Sequence, residues 1–545
     1  MRVLGINALF HDPAAALVVD GAVVAAAEEE RFSRRKHGKR PLPYSAWELP
    51  EQAAAWCLSQ AGIAAADLDA VAYSYDPALA APASELGLDD PFDPLRQSYA
   101  QLAPSFLAET LPGLDPAKVR FVSHHVSHAA SATLAGPFES CAFLVLDGRG
   151  EAHSHLSGHA DRESLNPLAA QALPHSLGLF YENATEHLGF LRSSDEYKVM
   201  ALASYGKPRF ADDLARYVHA TGDGGFTAGA IDWSGYAPVR EPGGRMLEEH
   251  ADLAASIQRV LELTLLDLTR WLHGQTGERN LAMAGGVALN CVANSRLAEE
   301  GPFDTIWVQP AAGDAGSALG AALYAATALG ERTSPMPGAD LGRGWSEQEI
   351  RQVLENAALP FHRPDDLAEE VAQTLADDGI VAWFQGRSEF GPRALGHRSL
   401  LAHPGRAENL DRLNAVKGRE SFRPIAPMVR AERAAELFEG PNPSPYMLFV
   451  HRVAAGWRER LPAVTHVDGT ARAQTVDAAA EPLLAALLDA FERRTGLPAV
   501  VNTSLNTAGR PMVDTPREAL ELFGSAPVDL LAIGPFIVRR AEIAR

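Results

Sequence analysis

The chain has 545 residues, of which 47% are hydrophobic and 21% charged, a composition typical of an ordered globular protein. A single core stops growing near roughly 250–300 residues, so we expect two domains. The formal charge of −21 argues against nucleic acid as a partner, because binding phosphates requires a basic surface.

The cysteines and the lengths of the apolar runs indicate where in the cell the protein is located. Cys57, Cys141 and Cys291 have no CxxC spacing, which favours reduced thiols and a cytoplasmic location. The first residues lack the basic and apolar segments of a signal peptide. No run of roughly 18 apolar residues occurs, so no membrane span is predicted.

The N-terminal half begins with three predicted strands at 3–8, 14–19 and 22–27, the last two joined by a tight Asp-Gly turn. A similar unit returns at 140–147, where a buried strand ends at the Asp-Gly-Arg-Gly turn that starts with Asp147. Further strands are predicted at 281–284 and 307–309.

Each of the last two strands leads into a glycine turn and a helix. Gly285-Gly286 follows the first, and a Gly-Asp-Ala-Gly turn at 313–316 follows the second. Such turns place backbone N–H groups where an anion can approach. The order of the hairpins and turns resembles that of the actin-like ATPase superfamily, which includes sugar kinases and heat-shock ATPases, and it predicts ATP binding in the first domain.

A linker is predicted at 332–347, where prolines, glycines and mixed charges interrupt the pattern. Helices and then a strand are predicted beyond it, at 352–358, 367–377 and 381–384. We therefore expect an α/β protein with domains at 1–340 and 345–545.

Histidines and aspartates indicate a metal site in the first domain. His124 and His128 are at i and i+4 of a predicted helix, so that both can reach one cation. A HExxH protease is excluded, because His125 stands where that motif has glutamate. Asp147 and Asp314 follow strands at turns, where α/β folds place ligand-binding groups, and carboxylates widen the choice to iron, manganese or magnesium. The alternative is a set of unrelated capping and core residues.

A basic run near the N-terminus and His11 are further candidates. The run is either a solvated loop or an anion site, and its members are Arg31, Arg34, Arg35, Lys36, Lys39 and Arg40. His11 follows the first strand. It is either a surface residue or a general base for a hydroxyl, since its ordinary pKa suits proton abstraction near neutrality.

The second domain has many cationic and short polar side chains close to glycine and proline. Arginine with Ser, Thr and Asn donors suits a small phosphate such as carbamoyl phosphate, although a salt-bridged surface is the alternative. The candidates are Arg387, Arg393, Arg398, Lys417, Arg419, Arg423, Arg472, Asn502, Thr503, Ser504 and Asn506.

With these motifs, the chain is identified as a member of the NodU/CmcH carbamoyltransferase family, whose members modify antibiotics and signalling glycolipids. The resemblance covers nearly the whole chain. It depends on HDPAAALVVDG, AEEERFSRRKH, HHVSHAAS, LDGRGE, EYKVMALASYG, AGGVALN, GDAGSALGAA, GRSEFGPRALGHRS, SFRPIAP and VNTSLN.

The resemblance implies an N-terminal actin-like domain, similar to the tRNA-threonylcarbamoyladenosine transferase, and a C-terminal YrdC-like domain. The second domain would make carbamoyladenylate and pyrophosphate from carbamoyl phosphate and ATP. The first would deliver the carbamoyl group to a hydroxyl of a small-molecule natural product. Loops at 77–104 and 174–194 are expected to form the acceptor pocket.

The resemblance also assigns roles to residues. His11 matches the catalytic histidine, and Lys36 matches a carbamoyladenylate contact. His124, His128, Asp147 and Asp314 match metal ligands, with iron or manganese preferred and magnesium left open. Nucleotide and carbamoyl phosphate contacts correspond to Gly286, Asn290, Arg393, Lys417, Arg423, Arg472, Asn502, Thr503 and Ser504. The chain departs from the family's pattern at Ala473, where proline is expected.

Two other functions are compatible with parts of the sequence. An actin-like small-molecule kinase would explain the first domain but not the cationic second one. A non-catalytic nucleotide sensor would bind ATP and release no pyrophosphate. Modification of tRNA is disfavoured by the acidic charge, and a homodimer is left open.

Overall fold

The computed structural model describes residues 1–38, 48–507 and 509–543. The chain divides into two compact units, Met1–Gly338 and Ala339–Arg545. Both combine helices with mixed sheets, so the prediction of an α/β fold is confirmed.

Strands and helices alternate along the first unit. Its strands are β1 Arg2–Asn7, β2 Ala14–Val19, β3 Ala22–Glu28, β4 Ala70–Tyr73, β5 Val119–Phe121, β6 Ser140–Leu146, β7 His153–Asp161, β8 Leu165–Ala172, β9 Val218–Ala220, β10 Phe226–Ala228, β11 Asn280–Ala284 and β12 Thr305–Val308. Its helices are α1 Glu30–Ser33, α2 Glu51–Ala61, α3 Asp93–Thr110, α4 His124–Thr133, α5 Leu177–His187, α6 Glu196–Ala203, α7 Ala211–Leu214, α8 Glu248–Thr276, α9 Cys291–Glu300 and α10 Asp314–Ala328.

Two five-stranded sheets of this unit have the same topology. In the sheet ordered β3-β2-β1-β4-β5, the strand β1 pairs antiparallel with β2 and parallel with β4. In the sheet ordered β12-β11-β6-β7-β8, the strand β6 pairs antiparallel with β7 and parallel with β11. The similar unit predicted at 140–147 is thus the start of a second sheet built like the first.

Two helices pack between these sheets. Helix α10 contacts β1 and β2, α4 contacts β6 and β11, and the helices contact each other. A Cβ added to Gly5 would lie 1.8 Å from the Ala318 carbonyl oxygen, and one added to Gly320 would lie 1.7 Å from the Ser127 carbonyl oxygen. Backbone therefore touches backbone at both interfaces, which explains why α10 is rich in alanine and glycine.

The second unit is built around one large mixed sheet. Its strands are β13 Val381–Phe384, β14 Arg398–Ala402, β15 Ala426–Arg430, β16 Phe438–Glu439, β17 His451–Val453, β18 Thr470–Ala471, β19 Gln474–Val476, β20 Ala499–Ser504, β21 Leu530–Ile533 and β22 Phe536–Arg539. Its helices are α11 Glu347–Asn356, α12 Leu367–Ala376, α13 Glu408–Lys417, α14 Ala431–Leu437, α15 Ala455–Arg458, α16 Pro482–Thr495, α17 Pro516–Ser525 and α18 Arg540–Ile543.

The seven-stranded sheet has the order β19-β15-β20-β14-β13-β21-β22. The interior strand β20 begins with the fully buried Ala499, Val500 and Val501, as expected for a strand covered on both faces. The same strand ends with the polar residues Asn502, Thr503 and Ser504. Short polar side chains therefore lie at one edge of the core.

Two elements were predicted to begin two or more residues later than they do in the structure. Strand β12 begins at Thr305 rather than at 307, because Thr305 and Ile306 already pair with β11. Helix α11 begins at Glu347 rather than at 352, because Ser346 and Glu349 form a capping box at its start. Within the described residues, no helix combines the length and apolarity needed to cross a membrane.

Candidate active site

Four side chains predicted as metal ligands meet in the first unit. His124 and His128 lie on one face of α4, Asp147 follows β6, and Asp314 begins α10. The Nε2 atom of His124 lies 3.1 Å from Asp147 Oδ2 and 3.2 Å from His128 Nε2. The distance from His128 Nε2 to Asp314 Oδ1 is 3.5 Å. All four side chains are buried, and one ligand atom from each lies within 4.8 Å of the others.

The electrostatics of this cluster favour charged side chains despite burial. Burial lowers the pKa of His124, but the carboxylates of Asp314 and Asp147 outweigh burial and hold that pKa well above its ordinary value. The pKa of His128 is raised for the same reason. Burial raises the pKa of Asp147, yet its hydrogen bonds with the two histidines hold it well below the ordinary range. The carboxylates and the imidazoles of the cluster thus favour each other's charged forms.

The donor set fits a divalent cation. Neither carboxylate oxygen of the buried Asp314 has a hydrogen-bond partner among the described residues, although imidazole nitrogens lie within 4 Å, and a buried carboxylate that lacks hydrogen bonds is costly. A cation would neutralise both carboxylates and displace protons from the imidazoles. Imidazole and carboxylate ligands together suit iron or manganese, and His124, His128, Asp147 and Asp314 would hold the ion.

Glu151 supports this cluster and was missed in the sequence. Its carboxylate accepts hydrogen bonds from the backbone N–H groups of His124, at 2.8 Å, and Asp76, at 2.9 Å. A carboxylate at a helix N-terminus is stabilising, so Glu151 fixes the first turn of α4. The available signal was its place in LDGRGE, four residues after Asp147.

Replacing Gly320 by Ala should disrupt the cluster indirectly. The new methyl group would overlap the Ser127 carbonyl and push α10 away from α4, which carries Asp314 away from the histidines. We expect a loss of about 1–3 kcal/mol in stability, typical of overpacking, together with weaker metal binding. Thermal unfolding and metal titration measure both. Gly274→Ala is the matched control, since a Cβ there would meet nothing within 4 Å; equal losses in the two variants would contradict the packing argument.

His11 lies beside the cluster in a strained turn after β1. Its Nε2 atom is 3.7 Å from Asp314 Oδ2. The flanking Phe10 and Asp12 have φ values of 64° and 50°, a conformation uncommon for non-glycine residues. The buried Asn7 holds this turn by donating from Nδ2 to the His11 carbonyl, at 2.9 Å, and to the Asp12 carbonyl, at 3.0 Å. Such locally compensated strain is typical of functional sites.

A cavity of about 800 Å³ opens onto His11, Asp147 and Asp314. Its walls come mainly from residues 87–92 and from several residues between 174 and 193. These residues lie in the two segments expected to form the acceptor pocket, but the prediction that both segments are loops is wrong in part, because α3 and α5 occupy much of them. A cavity of this size suits a small organic molecule.

The remaining first-unit candidates have different surroundings. The half-buried Lys36 lies in the turn Lys36–Gly38. The N–H of Gly286 donates to Asp147 Oδ1 at 3.0 Å, so it contacts the cluster instead of standing open to an anion as predicted. Asn290 caps α9 through its Oδ1 atom and donates to Gln258 from Nδ2 at 2.8 Å. Lys39 and Arg40 lie outside the described residues.

In the second unit, polar residues gather at the end of β20. Lys417 is 5% exposed and donates from Nζ to Ser504 Oγ at 2.8 Å. Asn502 donates from Nδ2 to Gln474 Oε1 at 2.7 Å, and its Oδ1 has no hydrogen-bond partner among the described residues. Thr503 lies between Asn502 and Ser504 on β20. The sequence analysis did not select Gln474, because no local sequence pattern connects it with Asn502 on β20, 28 residues further along the chain.

The cationic candidates of this unit divide into two groups. Arg472 is half-buried in the short segment between β18 and β19, and its buried Nε has no hydrogen-bond partner in the part of the chain that the structure describes. Arg423 is 3.6 Å from Glu420, and Arg393 lies next to Ala394, whose carbonyl accepts from Asn502. These three cations remain candidates for binding an anion.

Arg387, Arg398 and Arg419 form the second group, whose side chains bind groups of the protein itself. Arg398 is fully buried, lies over the Phe384 ring, and donates to the carbonyls of Gln385 and Arg343. Arg387 donates to the Gly342 carbonyl at 3.0 Å, and Arg419 donates to the side chain of Asn414. These guanidinium groups satisfy polar groups of the fold itself.

A buried cluster of ionisable groups that borders a cavity is typical of the active site of an enzyme. Comparison with protein families specifies the reaction. Residues 2–85 and 108–323 match the family "Carbamoyltransferase N-terminus", and residues 372–540 match "Carbamoyltransferase C-terminus".

Relatives extend over most of the chain. Nodulation protein NolNO of Sinorhizobium fredii is 39% identical over 98% of this chain and 80% of its own length. Nodulation protein U of Rhizobium tropici is 33% identical over 94% of this chain and 92% of its own. Among solved structures, T. kodakarensis HypF is 14% identical over 61% of this chain and 48% of that chain, with a TM-score of 0.37.

The chain belongs to the carbamoyltransferase family. The predicted O-carbamoyltransferase and its family are thereby confirmed. Both family models that match the chain describe a carbamoyltransferase rather than a kinase or a nucleotide sensor.

Proposed function

We propose that this carbamoyltransferase uses ATP and carbamoyl phosphate to carbamoylate a hydroxyl of a small-molecule natural product in the cytoplasm, in two steps. The second unit, Ala339–Arg545, would form carbamoyladenylate, and the first, Met1–Gly338, would transfer the carbamoyl group. The observation that carries the proposal is the position of His11, which lines a cavity next to a buried His–Asp cluster.

The architecture supports this division. The repeated sheet topology of the first unit is in keeping with an actin-like domain, and the mixed sheet of the second is compatible with a YrdC-like domain. The cationic and amide groups at the end of β20 suit phosphate groups, since charge-assisted hydrogen bonds to phosphate are strong.

The first step has a defined atom balance. Water cleaves the phosphate from carbamoyl phosphate, an oxygen of the resulting carbamate bonds to the α-phosphorus of ATP, and pyrophosphate leaves. Arg393, Lys417, Arg423 and Arg472 would neutralise phosphate charge, while Asn502, Thr503 and Ser504 would orient the substrates by hydrogen bonds.

In the second step, the acceptor hydroxyl oxygen bonds to the carbamoyl carbon while the bond between that carbon and the AMP oxygen breaks. His11 Nε2 would take the hydroxyl proton, because an alcohol is a poor nucleophile at neutral pH. Lys36 would contact the adenylate, and Gly286 and Asn290 would lie near the nucleotide. A cation held by His124, His128, Asp147 and Asp314 would supply positive charge for a carbonyl or phosphoryl oxygen.

Replacing Arg472 by Ala tests the assignment of the first step. We expect carbamoyl-phosphate-dependent pyrophosphate release at subsaturating substrate to fall by about one to two orders of magnitude, because a charged hydrogen-bonding partner contributes about 1.5–3 kcal/mol. A coupled pyrophosphate assay, run with and without carbamoyl phosphate, measures the effect.

The control for this variant is Arg517→Ala, since Arg517 is 83% exposed and pairs only with the nearby Glu521 in the described structure. It should release pyrophosphate at the normal rate. Normal release by Arg472→Ala would place the phosphate pocket elsewhere. Mass spectrometry of acceptors incubated with both substrates tests the overall reaction through the carbamoyl mass increment.

A further inference from the structure

Two histidines from different segments share one carboxylate beside the cavity. His11 Nδ1 lies 2.9 Å from Asp12 Oδ2, and His37 Nδ1 lies 2.7 Å from Asp12 Oδ1. Each oxygen of the Asp12 carboxylate therefore has its own imidazole partner. The two histidines are 26 positions apart in the sequence, so the arrangement is a product of folding.

The backbone makes the same connection. The Asp12 N–H donates to the His37 carbonyl at 3.1 Å, and the His37 N–H donates to Glu30 Oε2 at 2.9 Å. His37, like Asp12, has a positive φ, here 58°. The turn that carries His11 is thus fixed to the turn that carries Lys36 and His37 by both main-chain and side-chain contacts.

The chemistry of these groups defines the proton positions. An ionised carboxylate only accepts hydrogen bonds, so both Nδ1 atoms must donate. Burial raises the pKa of Asp12, but His37 and His11 outweigh it and hold that pKa well below its ordinary value, which keeps the carboxylate ionised. In neutral His11 the lone pair is then on Nε2, the atom 3.7 Å from Asp314.

We propose that Asp12 is a positioning residue for carbamoyl transfer, which fixes the Nδ1–H tautomer and the orientation of His11 and is itself held by His37. This inference rests on the proposed role of His11 as the base. It adds Asp12 and His37 to that role through their hydrogen bonds, and His11 is the one of the three residues that would touch the acceptor.

Asp12→Asn tests the proposal with little change of shape. Asparagine tolerates a positive φ, but its amide offers one accepting oxygen to two Nδ1–H donors. An NH₂ group facing His11 would favour the wrong tautomer; the comparable Asp→Asn change in serine proteases lowers kcat by about 10⁴. We expect kcat for acceptor carbamoylation to fall by about 10²–10⁴-fold, with acceptor KM and pyrophosphate release unchanged.

Asp12→Gly is a second variant, because glycine adopts a positive φ without strain and still removes the carboxylate. Asp12→Gly should show the same fall in kcat. If Asp12→Asn does not fold, the proposal can still be tested with Asp12→Gly. Asp20→Asn is the matched control, because Asp20 also has a positive φ, of 49°, but lies in the exposed turn after β2. It should transfer normally.

A double-mutant cycle with His11→Asn separates positioning from a general structural role. If Asp12 acts through His11, adding Asp12→Asn to His11→Asn causes no further loss. A full additional loss, or a rise in KM without a fall in kcat, would overturn the proposal for Asp12. If His11→Asn alone leaves transfer intact, the proposed base has failed instead, and the two failures are distinguishable.

Discussion

His11→Asn should uncouple the two half-reactions of this enzyme. Asparagine keeps a polar side chain of similar reach but has no useful basicity, and general-base catalysis contributes about 10²–10⁴-fold. Acceptor carbamoylation should fall by about that factor. Carbamoyl-phosphate-dependent pyrophosphate release should persist, because that step does not involve the acceptor proton and its candidate residues lie in the other unit. Carbamoyladenylate should accumulate or hydrolyse.

Both half-reactions should be assayed on the same preparation. His219→Asn is the matched control, since His219 lies exposed on β9 in the same unit and should leave both steps unchanged. If both steps collapse in His11→Asn, the residue has a structural role or serves adenylate formation. If neither step changes, His11 is not the base.

His128→Ala should remove the metal. The substitution deletes one of four converging ligands and leaves Asp147 and Asp314 with a single imidazole between them. Elemental analysis of the purified variant should show the loss of stoichiometric metal. Acceptor carbamoylation should fall to background, while pyrophosphate release should continue. Chelation of the wild type should have the same effect on transfer, reversed by adding back iron or manganese.

His155→Ala is the control for removing a buried histidine. His155 is fully buried in the same unit, and its ring contacts the carbonyls of Val145 and Gly224 rather than carboxylates. Burial lowers its pKa to about 4, in contrast to the raised pKa of His128. This variant should lose stability and retain metal. Unchanged metal content in His128→Ala would eliminate the assigned site.

Local patterns in the sequence were sufficient for much of the first unit. The i, i+4 spacing places His124 and His128 on one helix face whatever surrounds the helix, and the structure has them on α4. Glycine turns after apolar runs located Asp147 directly after β6 and Asp314 at the start of the helix that follows β12. The start of α11 was predicted wrongly at 352, although the capping box of Ser346 and Glu349, a contact between residues three apart, is a local signal for a start at Glu347.

Only the tertiary structure decided which of several similar residues share a site. Arg398 and Arg472 have the same side chain in similar polar runs. Yet Arg398 is fully buried against main-chain carbonyls, whereas Arg472 is half-buried and its Nε has no hydrogen-bond partner among the residues described. The pairing of Asp12 with His37 joins positions 25 residues apart. Sequence spacing fixes contacts within one helix or turn, whereas burial and long-range pairing depend on how all the elements pack together.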